Sequence, residues 1–303
     1  MTATLDPPAL ANTGAVPDRR RFRALRRFAR NRAALTGAII LAIIVLMAIF
    51  APLIAPHDPN NQDLLRRFQP PGDGGVLGTD DFGRDQFSRL IFGARASLLF
   101  SLLAMVVSVM IGLPQGLAAG FLGGKIDGAL GRFNDMLLAV PAILLAIVVV
   151  GALGASLVNA AFAIGLVSAP RVFRIVRAVT QDVRGETYIE ASRALGSTTR
   201  RTVLYNVVPN VLGPLVVQVA IGLGGYVTAE ASLSFIGLGI RPPTASWGGM
   251  LQTAAANMTQ APYLVYPPGI MIAVTVMAYL LVGDGLRTAF GTTRSAVSEG
   301  TKA

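Results

Sequence analysis

The sequence predicts an all-α polytopic membrane protein with six transmembrane helices, its N-terminus and C-terminus both cytoplasmic. Three observations carry that expectation. Hydrophobic residues fill 53% of the 303 positions and charged residues only 14%, against roughly 25% charged in soluble domains. The charges are gathered in short blocks that leave five long uncharged windows, at 33–56, 96–124, 136–170, 202–229 and 242–283, the last apolar only over 263–282. Because an Arg, Lys or Asp at mid-bilayer costs about 2.5 to 3.5 kcal/mol, such gaps delimit spans, and each exceeds the roughly 20 residues a spanning helix requires.

The basic residues set the topology. Residues 1–32 form a basic segment whose first 18 positions, rich in Pro, Ala and Thr, are expected to be disordered. Its block of Arg19, Arg20, Arg21, Arg23, Arg26, Arg27, Arg30 and Arg32 reads as a topology determinant that also rests on anionic membrane lipid. The window at 33–56 is longer than the 7 to 15 residues of a cleavable signal core, so it is expected to be an uncleaved first span. Residues 57–95 then form an extracytoplasmic loop. Within it Thr79, Asp80 and Gly83 suit a turn and helix cap, while Phe87, Leu90 and Ile91, spaced i, i+3 and i+4, suit a short interfacial helix.

Residues 96–287 are expected to hold the remaining five spans as one core domain, with 288–303 as a cytoplasmic tail. The window at 136–170 decides the parity, since at 1.5 Å per residue it is too long for one untilted helix. Gly151, Gly154 and Ser156 offer a turn. A hairpin there leaves only Arg66, Arg67, Arg84, Arg89, Arg95 and Arg241 of the 26 Lys and Arg outside. A single helix would instead strand 15 of them outside, against the enrichment of cytoplasmic loops in basic residues.

The same bunching of arginines around apolar runs sets aside nucleic acid as the reason for the +10 net charge. With no Cys and one His, His57, the chain offers no thiolate nucleophile and no His cluster for a metal. No catalytic, cofactor-binding or metal residue is assigned. A nucleotide site would require a Gly-rich loop ending in Gly-Lys-Ser/Thr. The two lysines do not supply one: Lys125 follows Gly124 but precedes Ile126, and Lys302 stands near the end.

On this topology the loop 171–208 faces the cytoplasm. Residues 186–195 form a plausible short helix stopped by Gly196. Ala191, Ala194 and Leu195 fall on one small apolar face that a groove of another protein can receive. A second short helix is expected over 198–206, carrying Arg200 and Arg201, before Pro209 opens the next span where a missing N–H costs little. Taken alone, the segment also fits a solvated amphipathic loop.

Glu190, Ala191, Gly196 and Pro209 stand at the spacing (E, A, any four, G, any twelve, P) of the cytoplasmic coupling loop of ABC-importer permeases. Upstream, Leu77, Gly78, Thr79, Asp80, Gly83, Arg84, Asp85, Ser88 and Arg89 and then Gly93, Ala94, Arg95, Ser97 and Leu98 follow a LGTDxxGRDxxSR and GAR-SL pattern. Downstream come the run from Glu230 to Gly239, then Ser246, Trp247, Gly248 and Met250, then Pro268 and Gly269, and a closing Gly283, Asp284, Gly285, Leu286 and Arg287. Over about residues 20–290 the chain therefore resembles the dipeptide and oligopeptide permease family, in particular its "C"-type subunit. It departs from the pattern at Asn206, where His is usual, at Ser192 in place of a second Ala, and at Thr288 in place of Asp.

The resemblance implies a binding-protein-dependent type I ABC importer permease fold in the bacterial cytoplasmic (inner) membrane, and a non-catalytic transport subunit. It implies a second homologous permease, two ATP-binding subunits or one fused ATPase that carry ATP and Mg, and an extracytoplasmic solute-binding protein. It makes Glu190 a polar contact to the ATPase, Ala191 and Ala194 close-packing positions and Gly196 the elbow, with Ser192, Leu195 and Pro209 in the same motif. Di- and oligopeptides are the expected cargo; nickel, haem or glutathione are the alternatives within the family. An ATP-independent secondary carrier would place Asp, Glu or His within its spans, and the windows contain none. A membrane-embedded enzyme would need acid, base or metal ligands clustered at one interface. Gln115, Asn159, Gln218 and Tyr226 are candidate path-lining groups, or simply hydrogen-bond to neighbouring helices.

Overall fold

A computed structural model of the chain describes residues 26–291. The basic block from Arg19 to Arg23, the segment 1–18 and most of the tail lie outside the described residues. The first span, α1 (Arg32–Ile49), is capped by the Asn31 side chain, which accepts the Ala34 N–H. Pro52 cannot continue it, and one further turn, α2 (Ala51–Ile54), finishes the window. The end of α1 is closed from outside: the Arg95 guanidinium donates to the Ala48 and Ile49 carbonyls at 2.6 and 3.0 Å, satisfying acceptors that a helix end leaves open.

The loop that follows contains a 3₁₀ turn at Leu64–Arg66 and a built turn at 79–85. There Asp80 accepts the Phe82 and Arg84 N–H groups and pairs with the Arg84 guanidinium at 2.7 Å, while Gly83 takes φ +71. The cap itself is Asp85, not Thr79 or Asp80, and it opens α3 (Gln86–Leu122). Phe87, Leu90 and Ile91 thus form no separate interfacial helix. They are the first turns of a 37-residue helix, with Leu90 and Ile91 buried, because no proline follows Asp85 until Pro114, which the helix carries through.

Next come α4 (Gly124–Ala139) and α5 (Ala142–Leu153), which meet at 92°. The bend falls at Val140–Pro141, where a residue preceding proline is pushed to extended backbone. A tight break at Gly154–Ser156, with Gly154 at φ +85 and the Ser156 side chain accepting the Asn159 N–H, leads into α6 (Leu157–Arg184). Gly154 and Ser156 thus make a turn, while Gly151 lies inside α5.

The cytoplasmic-side candidates are α7 (Thr187–Ala194) and α8 (Thr199–Thr202). A π-turn, Val203–Val207, joins α8 to α9 (Val208–Phe235). The second short helix expected over 198–206 is therefore not separate: helix runs unbroken over Thr199–Phe235. The widened turn absorbs the N–H that Pro209 lacks. Finally α10 (Trp247–Ala256) and a 3₁₀ turn, Pro262–Val265, precede α11 (Tyr266–Gly291).

Four helical runs among the described residues are long and apolar enough to cross a bilayer, Arg32–Ile49, Gln86–Leu122, Thr199–Phe235 and Pro262–Gly291, and the bent α4–α5 pair brings this to five. The sixth long helix, α6, is apolar only to Pro170 and charged beyond it. No strand forms among the described residues; Thr79 and Asp85 make an isolated bridge.

The helices meet through small residues, as they do where lipid removes any hydrophobic drive to associate. Gly112, Gly116 and Gly120 form a row on α3 against α6: a β-carbon on them would stand 2.6 Å from the Ala169 carbonyl oxygen, Val176 Cβ and Thr180 Cβ respectively. Gly165 on α6 answers with Val107 Cβ at 2.6 Å, and Gly37 sets α1 against Ala278 and Leu281 of α11.

Candidate coupling surface

Helix α7 ends in a two-bond C-terminal motif. The Gly196 N–H reaches the Arg193 carbonyl at 2.9 Å and the Ser197 N–H the Ser192 carbonyl at 3.1 Å. This needs a left-handed residue between them, and Gly196 supplies it at φ +81. Thr198 then caps α8 by accepting the Arg201 N–H. The chain thus turns sharply at Leu195–Thr198, which makes Gly196 an elbow in geometry.

The two sides of α7 differ. Ile189 is fully buried in a cluster with Phe121 of α3, Val172, Val176 and Val183 of α6, Val207 of the π-turn, and Val211 and Leu215 of α9. Arg193 lies beside it, its guanidinium 4.7 Å from the Phe121 ring centroid, a favourable cation–π distance. Glu190, Ala191, Ala194 and Leu195 all face outward, Leu195 with 88% of its surface exposed. Ile189 is the anchor that the spacing of Ala191, Ala194 and Leu195 did not disclose, because it sits on the opposite face.

Tyr188 steadies the same helix. Burial and the Glu186 charge push its phenol above its ordinary value, and its oxygen accepts from the Asn210 amide at 3.3 Å. Ser192, Ser197, Thr198, Arg200, Arg201, Leu204, Tyr205 and Asn206 line an open cleft of about 860 Å³ beside the elbow. Ser192 is therefore on the flank, not on the outward face. Pro209 sits in the first turn of α9, away from the elbow.

Alongside, α4 lies on the charged half of α6. Arg177 grips Asp127 with both Nε and Nη2, the latter at 2.7 Å, and Arg174 meets Asp135 at 2.8 Å. The base of the loop is thereby fixed to two helices.

The candidate path residues are scattered. Gln115 accepts from Asn134 of α4 at 2.9 Å, and the Asn159 amide donates to the Leu153 and Gly154 carbonyls at 2.8 and 3.0 Å. Both are thus engaged in holding helices and a turn. The Tyr226 hydroxyl bonds Ser108 at 2.8 Å between α9 and α3. Gln218 is half-buried with no side-chain partner among the described residues. None of the four hydrogen-bonds to another.

One acid was read only as part of the family pattern. The uncharged window ends at Ala229, but α9 runs on to Phe235, so Glu230 lies in the last turns of that helix and is fully buried. Ser97 of α3 donates to it at 3.0 Å and Ser234 at 2.7 Å. Glu230 stands one residue beyond the uncharged window 202–229. A charge scan stops at Glu230, whereas helical geometry does not.

The sequence matches the family of binding-protein-dependent transport system inner membrane components over residues 112–294, and the N-terminal TM domain of oligopeptide transport permease C over residues 21–71. The chain belongs to this inner-membrane component family. Among similar members, the di/tripeptide transport system permease protein DppC of Pseudomonas aeruginosa is 41% identical over 86% of this chain and 88% of its own. The dipeptide transport system permease protein DppC of Haemophilus influenzae is 40% identical over 86% of this chain and 91% of its own. A structure of the MetNI methionine ABC transporter, at 21% identity, superposes with a TM-score of 0.56 over 68% of this chain and 97% of its own, which supports the fold. As an inner-membrane component, the chain is a multi-pass membrane permease, and the family match takes in α6, the coupling surface and α9 through α11. At two of the departures from the peptide-permease pattern, the Thr288 hydroxyl donates to the Asp284 carbonyl at 2.9 Å, and the backbone carbonyl of Asn206 accepts from the Asn210 amide at 2.7 Å.

Proposed function

We propose that this chain is one of two transmembrane subunits of an ATP-driven importer of di- and oligopeptides. It has six spans with both termini cytoplasmic, forms half of the path and does no chemistry of its own. The observation that carries the reading is the division of α7. One face is locked by Ile189 into the ends of α3, α6 and α9, and the other presents Glu190, Ala191, Ala194 and Leu195 to solvent. A helix held so on one side and bare on the other is suited to a groove on a partner. Closure of two ATP-binding subunits, or of one fused ATPase, would carry α7 as a lever and switch the spans between inward-open and outward-open. Lys125 sits in the first turn of α4 without a phosphate loop before it, which supports placing ATP and Mg on those partners. The peptide cargo is supported by the names of the similar permeases, and its delivery by a solute-binding protein outside.

Vesicles reconstituted with the full complex test this. Glu190→Arg is expected to lower ATP-dependent peptide uptake and ATPase association by about tenfold, the effect of losing about 1.4 kcal/mol at an interface. Unchanged uptake and association would remove α7 from the mechanism.

A further inference from the structure

Beside the elbow the surface turns cationic. The open cleft of about 860 Å³ is lined there by Arg200 and Arg201 together with Ser192, Ser197 and Thr198. Both arginines are exposed. No acid lines the cleft, and neither arginine is ion-paired among the described residues. On α6, by contrast, Arg174 and Arg177 are held by Asp135 and Asp127. The Thr198 oxygen is taken by the Arg201 N–H, which leaves its proton to donate. The cleft thus offers guanidinium and hydroxyl donors, the set that phosphate oxygens accept.

The far wall of the cleft is apolar and leads into the membrane. Leu204 and Tyr205 form it, and from there the helix runs unbroken to Phe235. Leu204, Val208, Leu212 and Val216 recur every four residues, so they lie one above another along that helix. Leu204, Leu212 and Val216 are exposed and Val208 is half-buried. Tyr205, with 75% of its surface exposed, stands where the cations give way to this row, the level that tyrosine favours in a membrane. Depth agrees with the order of the side chains. From Arg201 to Glu230 the run covers about 44 Å at 1.5 Å per residue, the thickness of a bilayer with both its headgroup layers, about 40 to 45 Å. The two arginines therefore reach one headgroup layer when Glu230 lies at the other.

We propose that the cleft seats the headgroup of an anionic phospholipid, with its phosphate between Arg200 and Arg201 and its acyl chains along Leu204, Val208, Leu212 and Val216. A zwitterionic headgroup would bring its own cation beside the two arginines, whereas an anionic one meets them with charge of the opposite sign alone. An acidic segment of a protein would match the arginines but not the apolar row that continues from them. Ser192 belongs to the end of α7 and Ser197 to the elbow, so the seated lipid holds the elbow against the membrane surface. The importer reading fixes only which leaflet supplies the lipid, the cytoplasmic one.

The test is native mass spectrometry of the purified full chain, titrated with phosphatidylglycerol, phosphatidylcholine or inorganic phosphate, for wild type, the double variant Arg200→Gln/Arg201→Gln and Lys125→Gln. Wild type is expected to bind phosphatidylglycerol in preference to phosphatidylcholine, and to keep it in the presence of inorganic phosphate. The double variant should bind phosphatidylglycerol about 30-fold more weakly, the scale of two arginines at an anionic surface. Lys125→Gln, which removes an exposed cation of α4, should bind as wild type. Equal binding of the two lipids by wild type, or wild-type affinity in the double variant, would overturn the proposal. Displacement by inorganic phosphate would make the cleft a site for a free anion and overturn it as well. The same titration of the complete complex separates the lipid from an ATPase surface: phosphatidylglycerol retained on assembly supports the proposal, and its loss would overturn it. Neither titration involves transport, so a failure of the importer reading in vesicles would leave both results standing.

Discussion

Ile189 and Leu195 stand six positions apart, at the two ends of α7's division of labour, and they should behave oppositely when shortened. Ile189→Ala removes a side chain with no exposed surface from a cluster shared by three helices, a change that costs about 2 to 5 kcal/mol in a packed core. Leu195→Ala removes one that is 88% exposed, and surface changes of this kind stay within about 0.5 kcal/mol. Thermal unfolding of the purified chain should show a lowered midpoint for the first and none for the second. Binding of the ATPase subunits should weaken in both. A shift for Leu195→Ala equal to that for Ile189→Ala would mean that α7 has no free face. Gly196 is different again: a β-carbon there meets nothing within 4 Å, so substitution by Ala carries only the backbone strain of a left-handed residue, about 1 to 2 kcal/mol.

Between elements, the α3–α6 crossing is the most demanding contact. Gly116→Leu would drive a side chain into Val176, whose Cβ lies 2.6 Å from the β-carbon position, and both helices would have to part. Overpacking costs typically 1 to 3 kcal/mol and more where backbone blocks relief. The expected outcome is loss of a monodisperse peak on size exclusion, while Gly128→Ala, with open space around it, elutes as wild type. The row Gly112, Gly116 and Gly120 repeats at four residues, a signal of helix contact that was present in the sequence and not used. Other elements were legible because one strong term decided them. Charge avoidance marked the four runs long and apolar enough to span, and Gly154 with Ser156 marked a turn. The 92° bend was less so, since Pro141 lies in a window that is apolar on both sides and hydropathy is blind to direction. The end of α9 was misplaced for the converse reason: Glu230, with both oxygens hydrogen-bonded, sits in a helix that a charge scan cuts short.

Across the whole molecule, two packed regions are joined by two helices. At one end the loop at 63–85, α10 and the turn Pro262–Val265 pack together on α3; at the other α7 is held at Ile189, and α3 and α9 run between. Of the candidate path residues, Gln115, Asn159 and Tyr226 each hydrogen-bond to a neighbour. The coupling motif was legible because its elbow needs Gly at one backbone position, whereas its anchor is a lone isoleucine that only packing identifies. Orientation decides whether this frame can serve as proposed. The chain has no cysteine, so Leu195→Cys is a unique thiol on the outward face of α7. Labelling with a membrane-impermeant maleimide, in sealed vesicles of either sidedness, with and without the ATP-binding subunits, tests the central claim directly. The account predicts reaction from the cytoplasmic side only, and protection by about tenfold or more when those subunits are assembled, as for a residue enclosed at an interface. Reaction from the outside, or labelling that the assembled subunits leave undiminished, would contradict it.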